Sequence, residues 1–121
     1  CLRTEILDAF EDAFEWYDII LSPTTICLPV ENASDRNTLG PKKINGTPID
    51  PLIGFCETFF ANFTGNPAAS IPAGLSKSGL PVGLQIIGRK FRDGDVLAAA
   101  KTFEDLHPWR DLYQIPFGRQ L

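Results

Sequence analysis

The sequence has no methionine at all, the initiator included, and only one histidine, His107. Its three cysteines, Cys1, Cys27 and Cys56, form no C-x-x-C pair and follow no repeating spacing. With so few soft donors a zinc site lacks ligands, and no metal is expected. An odd set of unpatterned thiols points to reduced cysteines in a cytoplasmic protein. Basic clusters are missing too. The 11 Lys and Arg are scattered, their densest pairing is Lys42-Lys43, and the formal net charge is −4. A nucleic-acid binder that neutralises phosphates with grouped cations is therefore not expected. No apolar run approaches the ~20 residues of a membrane helix, and no signal peptide is visible. The missing methionine and the helix-like opening CLRTEIL fit a fragment, a processed piece or a subunit.

What is present is ordinary for a soluble domain: 121 residues, 44% hydrophobic and 21% charged. A chain of this length suits one domain that buries roughly 65% of its unfolded surface. Leu2, Ile6, Phe10, Ala13, Phe14 and Tyr17 recur at spacings of three and four, opposite Glu5, Asp8, Glu11, Asp12 and Glu15. This predicts an amphipathic helix over 2–16. Ile19 to Ser22 reads as a buried strand stopped by Pro23. Residues 23–49 read as one long loop without a period. Asp50-Pro51 has the chemistry of a helix start, which predicts a helix from there to about Asn62 carrying Leu52, Ile53, Phe55, Phe59 and Phe60.

AASIPAGL and LPVGLQIIG, joined by SKSG, predict a hairpin. A last helix follows, capped by Asp93 or Asp95 and striped by Val96, Leu97, Ala100, Phe103 and Leu106. His107-Pro108 ends it. The tail WRDLYQIPFGRQL has no period. The expected class is α/β, with a thin slice of sheet flanked by helices. The second strand is apolar on both faces, as a covered central strand would be, yet the chain offers few strands to flank it.

Three stretches in order carry a resemblance: YDIILSPTT, NFTGNPAASIPAG and GLPVGLQIIGRKFRDGDVLAAAKTFE. Tyr17-Asp18, Pro23-Thr24, Asn62, Gly65, Pro67-Ala68, Ser70, Pro72, Gly79-Leu80-Pro81, Gly83-Leu84-Gln85, Gly88 and Glu104 match the C-terminal part of amidase signature enzymes. The chain resembles that family over about residues 15–110.

The resemblance implies a piece of one larger domain, with a mixed sheet between helices, that is incomplete alone. It implies an amide hydrolase whose nucleophilic serine is activated by a second serine on a cis peptide and then by a lysine, with no metal or cofactor. That machinery belongs to a Gly-Ser-rich segment upstream of the matched region, so no catalytic residue is expected here. Ser70 matches a structural serine of the family. Ser76 and Ser78 flank Lys77 in an exposed turn, which lacks the burial that a Ser-Lys nucleophile pair needs.

Thr24 and Thr25 follow a strand's carboxyl end, where ligands of α/β sheets bind, and are equally readable as an ordinary turn. Phe55 and Phe59 are candidate pocket walls, although aromatics at helical spacing more often belong to the core. In the tRNA amidotransferase branch an acidic residue recognises the substrate amine. Counting back from Asn62, Phe55 stands in its place, which favours an apolar substrate. Thr24, Thr25, Phe55 and Phe59 are therefore the candidate substrate-binding residues.

The expected partners are a small amide substrate and the N-terminal remainder of the enzyme, with a homodimer left open. Cys27 and Cys56 are expected to be buried small hydrophobes. Gln85, an amide inside an apolar strand, is expected to tie that strand to a neighbouring loop. Of the three glycosylation-like triplets at Asn32, Asn45 and Asn62, the last sits in an apolar context that suggests burial. Two other readings remain: a non-catalytic subunit or truncated paralogue that binds a partner chain through open sheet edges, and a hydrolase using Cys1 as nucleophile.

Overall fold

A computed structural model describes residues 1–110 and 112. Helix α1 spans Leu2–Trp16, as the spacing of its apolar residues requires. Its buried residue is Phe14, which Phe10 meets edge-on at 6.3 Å. Strand β1, Ile19–Pro23, follows. Pro23 does not stop the strand but is its last residue, opposite Leu84. A proline is accepted there because the N–H that faces β5 belongs to the next residue, Thr24, which donates to Gly83 O at 3.1 Å, so the β1–β5 ladder loses no bond.

The long segment after β1 is not wholly irregular. Lys43–Ile44 (β2) and Thr47–Pro48 (β3) pair across Asn45-Gly46. Both turn residues have positive φ, 49° and 82°, the conformation that selects Asn-Gly in a tight hairpin turn. A Cβ at Gly46 would meet no neighbour, so the cost of Gly46→Ala is purely conformational. We expect Gly46→Ala to lower stability by about 1 kcal/mol, read by denaturant titration.

The helix expected from Asp50 is not formed there. Asp50 Oδ1 accepts the N–H of Leu52 at 2.8 Å, an Asx turn, and residues 51–55 continue as turns. Helix α2 is only Phe59–Thr64 and closes on Gly65, which takes the left-handed conformation at φ 73°. Asn62 lies exposed on α2, against the expectation of burial.

β4, Ala68–Leu75, and β5, Pro81–Gly88, form the expected hairpin. Its register shifts between Pro72 and Gly74, where Ala73 bulges and Gly74 has φ 125°. Gly79, at φ 78°, closes the connecting turn on Ser76. Helix α3 spans Asp93–Leu106, but neither aspartate caps it. Asp95 binds Arg92 through two hydrogen bonds of 2.7 and 3.2 Å. His107 ends the helix, its N–H donating to Phe103 O. Most of the C-terminal tail lies outside the described residues.

The three longer strands form one antiparallel sheet in the order β1-β5-β4. Its faces follow from strand alternation. Ile20 and Ile87 face α1 and α2 and pack with Phe10, Phe14 and Ala61. The opposite face carries Gly88, where an added Cβ would lie 2.6 Å from Val96 of α3. Central β5 is therefore covered on both sides, and Ile86 and Ile87 are 1% and 2% exposed. The α/β class is as expected, and the pairing within this slice is antiparallel. Among the described residues no helix is long and apolar enough to cross a membrane.

Candidate substrate-binding site

On the α1/α2 face the sheet changes character along its length. Ile20 and Ile87 are apolar and covered by the helices. In the next row the register aligns Ser22, Gln85 and Ser70 across all three strands. Beyond it Thr24 donates its N–H to Gly83 O at 3.1 Å, continuing the line of β1. Thr24 Oγ1 and Ser70 Oγ lie 2.7 Å apart over Gly83. A Cβ on Gly83 would stand 2.8 Å from Thr24 Oγ1 and 3.3 Å from Ser70 Oγ, so the two hydroxyls can meet there only because position 83 has no side chain. One hydroxyl proton is spent inside this pair. The other is available to an acceptor.

Residues after β1 also build a short ladder with the segment before α2. Thr25 pairs with Cys56. Ile26 N–H donates to Phe55 O at 3.0 Å, and Glu57 N–H donates to Thr24 O at 3.2 Å. Gln85, 3% exposed, donates through its amide nitrogen to Ser22 Oγ at 3.1 Å and to Glu57 O at 3.3 Å. The expectation that this amide ties strand to loop holds, and the loop is the 55–57 segment.

Two clefts flank the start of β5. One of about 320 Å³ is lined by Ser70, Ile71, Pro72, Pro81, Val82, Gly83 and Trp109. Another of about 310 Å³ is lined by Pro23, Thr25, Ile26, Cys27, Leu28 and the same stretch of β5.

Thr24 lines neither cleft but bonds to Ser70, which lines the first, and the ladder ties Phe55 to Ile26 through the backbone. Thr25 lines the second cleft, while Phe55 and Phe59 line neither. The Phe55 ring packs on Gly40, where a Cβ would be 2.3 Å from it. Phe59 opens α2 and stacks on Phe63 at 6.3 Å. Sequence reasoning did not find the Thr24–Ser70 pair. The only signal for it was a glycine, Gly83, two residues before a polar residue in an apolar strand, and the pairing needed the register.

Cys27 and Cys56 are half-buried free thiols rather than buried ones, and Cys1 is exposed at the start of α1. Ser76 and Ser78 hydrogen-bond to each other at 2.9 Å within the hairpin turn. Among the described residues no group of three or more His, Cys, Asp or Glu is arranged to hold a metal ion.

A sheet with helices on both faces and a hydroxyl-lined end is a segment of a larger α/β fold. The chain belongs to the amidase family, whose model matches residues 2–97. It is 51% identical to a bacterial aryl acylamidase of the amidase signature family, with a TM-score of 0.93 over 99% of this chain and 24% of that one. A glutamyl-tRNA(Gln) amidotransferase subunit of Thermodesulfovibrio yellowstonii is 38% identical over 92% of the chain and 21% of that protein. Its counterpart from Thermotoga maritima superposes with a TM-score of 0.57 at 31% identity, over 88% of this chain and 21% of that one. The chain thus spans about a fifth of the length of the curated relatives it matches.

Proposed function

We propose that this chain is the C-terminal portion of an amidase that hydrolyses a carboxylic amide through an acyl-serine intermediate. The serine, cis-serine and lysine of that chemistry lie upstream of these residues. In this reading Thr24, Thr25, Phe55 and Phe59 belong to one wall of the acyl pocket, and the free hydroxyl proton of the Thr24–Ser70 pair meets a substrate acceptor. The segment alone is inactive, because catalysis needs a nucleophile and base that it does not carry.

The observation that carries this reading is the 51% identity, at a TM-score of 0.93, to an aryl acylamidase. The two amidotransferase subunits stand at 31% and 38%. Phe55, in place of the acidic residue that the amidotransferase branch uses to hold an amine, argues the same way. The favoured substrates are therefore aryl acylamides, neutral and apolar on both sides of the scissile bond.

The test is a comparison of the full-length protein on an aryl acylamide and on glutamine. Hydrolysis of the anilide with little glutaminase activity is expected. Glutamine-dependent activity alone would refute the apolar assignment. A full-length gene product without the Ser-Ser-Lys region would instead support the reading as a partner-binding paralogue, with the exposed sheet edges as its contact surface.

A further inference from the structure

Gln85 sits in the most buried stretch of the chain, Gln85–Gly88. A primary amide there is costly unless its hydrogens are satisfied, and its two N–H groups are directed differently. One bond stays within the sheet, to Ser22 Oγ on the neighbouring strand. The other leaves the sheet for the backbone carbonyl of Glu57. Glu57 belongs to a short stretch between turns and helix. Before it, Gly54 and Cys56 bond only locally, to Asp50 O and Ile53 O. After it, α2 begins at Phe59. The position of Phe55–Glu57 against the sheet therefore rests on the two ladder bonds to Thr24 and Ile26 and on Gln85.

We infer that Gln85 is a positioning residue that fixes the Phe55–Glu57 segment, and with it the Phe55 side of the acyl wall, to the central strand. An apolar residue would fill the same space, but it could not reach out of the sheet to a carbonyl. The Ser22 bond alone would satisfy only one of the two N–H groups. The kinetic consequence of this inference rests on the amidase reading, and the placement of the segment does not.

The experiment uses the full-length protein with Gln85→Glu, Gln85→Leu and, for comparison, Ser22→Ala. Gln85→Glu keeps the shape. Ser22 can turn its hydroxyl to donate to the new carboxylate, but the Glu57 carbonyl then faces an acceptor. Hydrogen–deuterium exchange of peptides covering 24–27 and 53–58 is measured, together with the rate at which iodoacetamide alkylates the half-buried Cys56. Both Gln85 variants are expected to raise exchange and alkylation by about tenfold at this segment, with the rest of the chain unchanged, and Ser22→Ala is expected not to. KM for bulky acyl anilides should rise in both, while kcat for a small acetanilide holds.

Exchange and alkylation within about twofold of wild type in Gln85→Glu, or a rise spread evenly over the chain, would overturn the inference. If Gln85→Leu does not fold, the isosteric variant decides alone. If the wild type hydrolyses no amide, the functional reading falls while exchange and alkylation still decide the placement.

Discussion

Truncating Ile87 to alanine is expected to destabilise the full-length protein by about 2–5 kcal/mol, and truncating Ile86 by a similar amount. The two residues are neighbours on β5 but serve opposite layers. Ile87 packs with Phe14 and Ala61 beneath α1 and α2. Ile86 shares the face of Gly88, which touches Val96 of α3. Both lie within the 1–2% exposure range, so each loses a full set of contacts and leaves a cavity that the layers cannot easily close. Because the cavities open on different sides of the sheet, their costs should add to within about 0.5 kcal/mol in the double variant. Denaturant titration with secondary-structure and fluorescence probes reads both quantities. A loss under about 1 kcal/mol for either residue would mean that β5 is not the central strand of a covered sheet.

This core is legible in the sequence, and the reasons are physical. LPVGLQIIG is apolar on both faces, which only a strand covered twice can tolerate. AASIPAGL and the SKSG turn supply its hairpin partner, and α1 shows its periodicity from Leu2 to Phe14. The opposite case is Asp50-Pro51. These residues have the chemistry of a helix start, yet the Asp50 side chain bonds to Leu52 within a turn, and residues 55–57 are drawn into a ladder with Thr24–Ile26. Local propensity loses to a pairing with a segment distant along the chain, which no sequence window can show. The Asn45-Gly46 hairpin is a different kind of miss, because its signal is present but stands in a stretch that otherwise has no period.

The site divides along the same line. The motifs carry Thr24, Ser70, Gly83 and Gln85 individually, and the family follows from their order. Their arrangement does not follow, because it depends on register. A shift of one residue in β1 or β4 would turn Ser22 or Ser70 to the α3 face and dissolve the polar row. The apolar ends of the strands set that register. Ile20 and Ile87 must meet the helices, and the polar residues two positions away are then aligned by the chain itself. Burial at one end of the sheet thus places the hydroxyls at the other, so the core and the candidate site are parts of one construction.

The sharpest consequence falls on Gly83. Its φ is not in the left-handed region, so alanine there meets a crowding problem and not a conformational one. The new methyl would stand 2.8 Å from Thr24 Oγ1 and 3.1 Å from Thr24 Cβ, both atoms of a short side chain just beyond β1 whose backbone is bonded to Gly83 and Glu57. Thr24 must rotate or retreat, and either movement breaks its 2.7 Å bond to Ser70. If the pair binds substrate, a displacement of this size is expected to lower kcat/KM of the full-length enzyme on an aryl acylamide by about 100-fold. The fold should remain, because Gly83 lies beyond the packed core.

Thr24→Ala removes the hydroxyl with its 2.8 Å clash and leaves only the 3.1 Å approach to the Cβ. Gly83→Ala should therefore cost about tenfold or less when made in that background, the non-additivity expected of residues in contact or in one hydrogen-bond network. Equal losses in both backgrounds would show that Gly83 acts through something other than Thr24. No loss of activity in Gly83→Ala, with the Thr24–Ser70 bond broken, would remove the hydroxyl pair from the substrate wall and leave it as a fastening between β1 and β4.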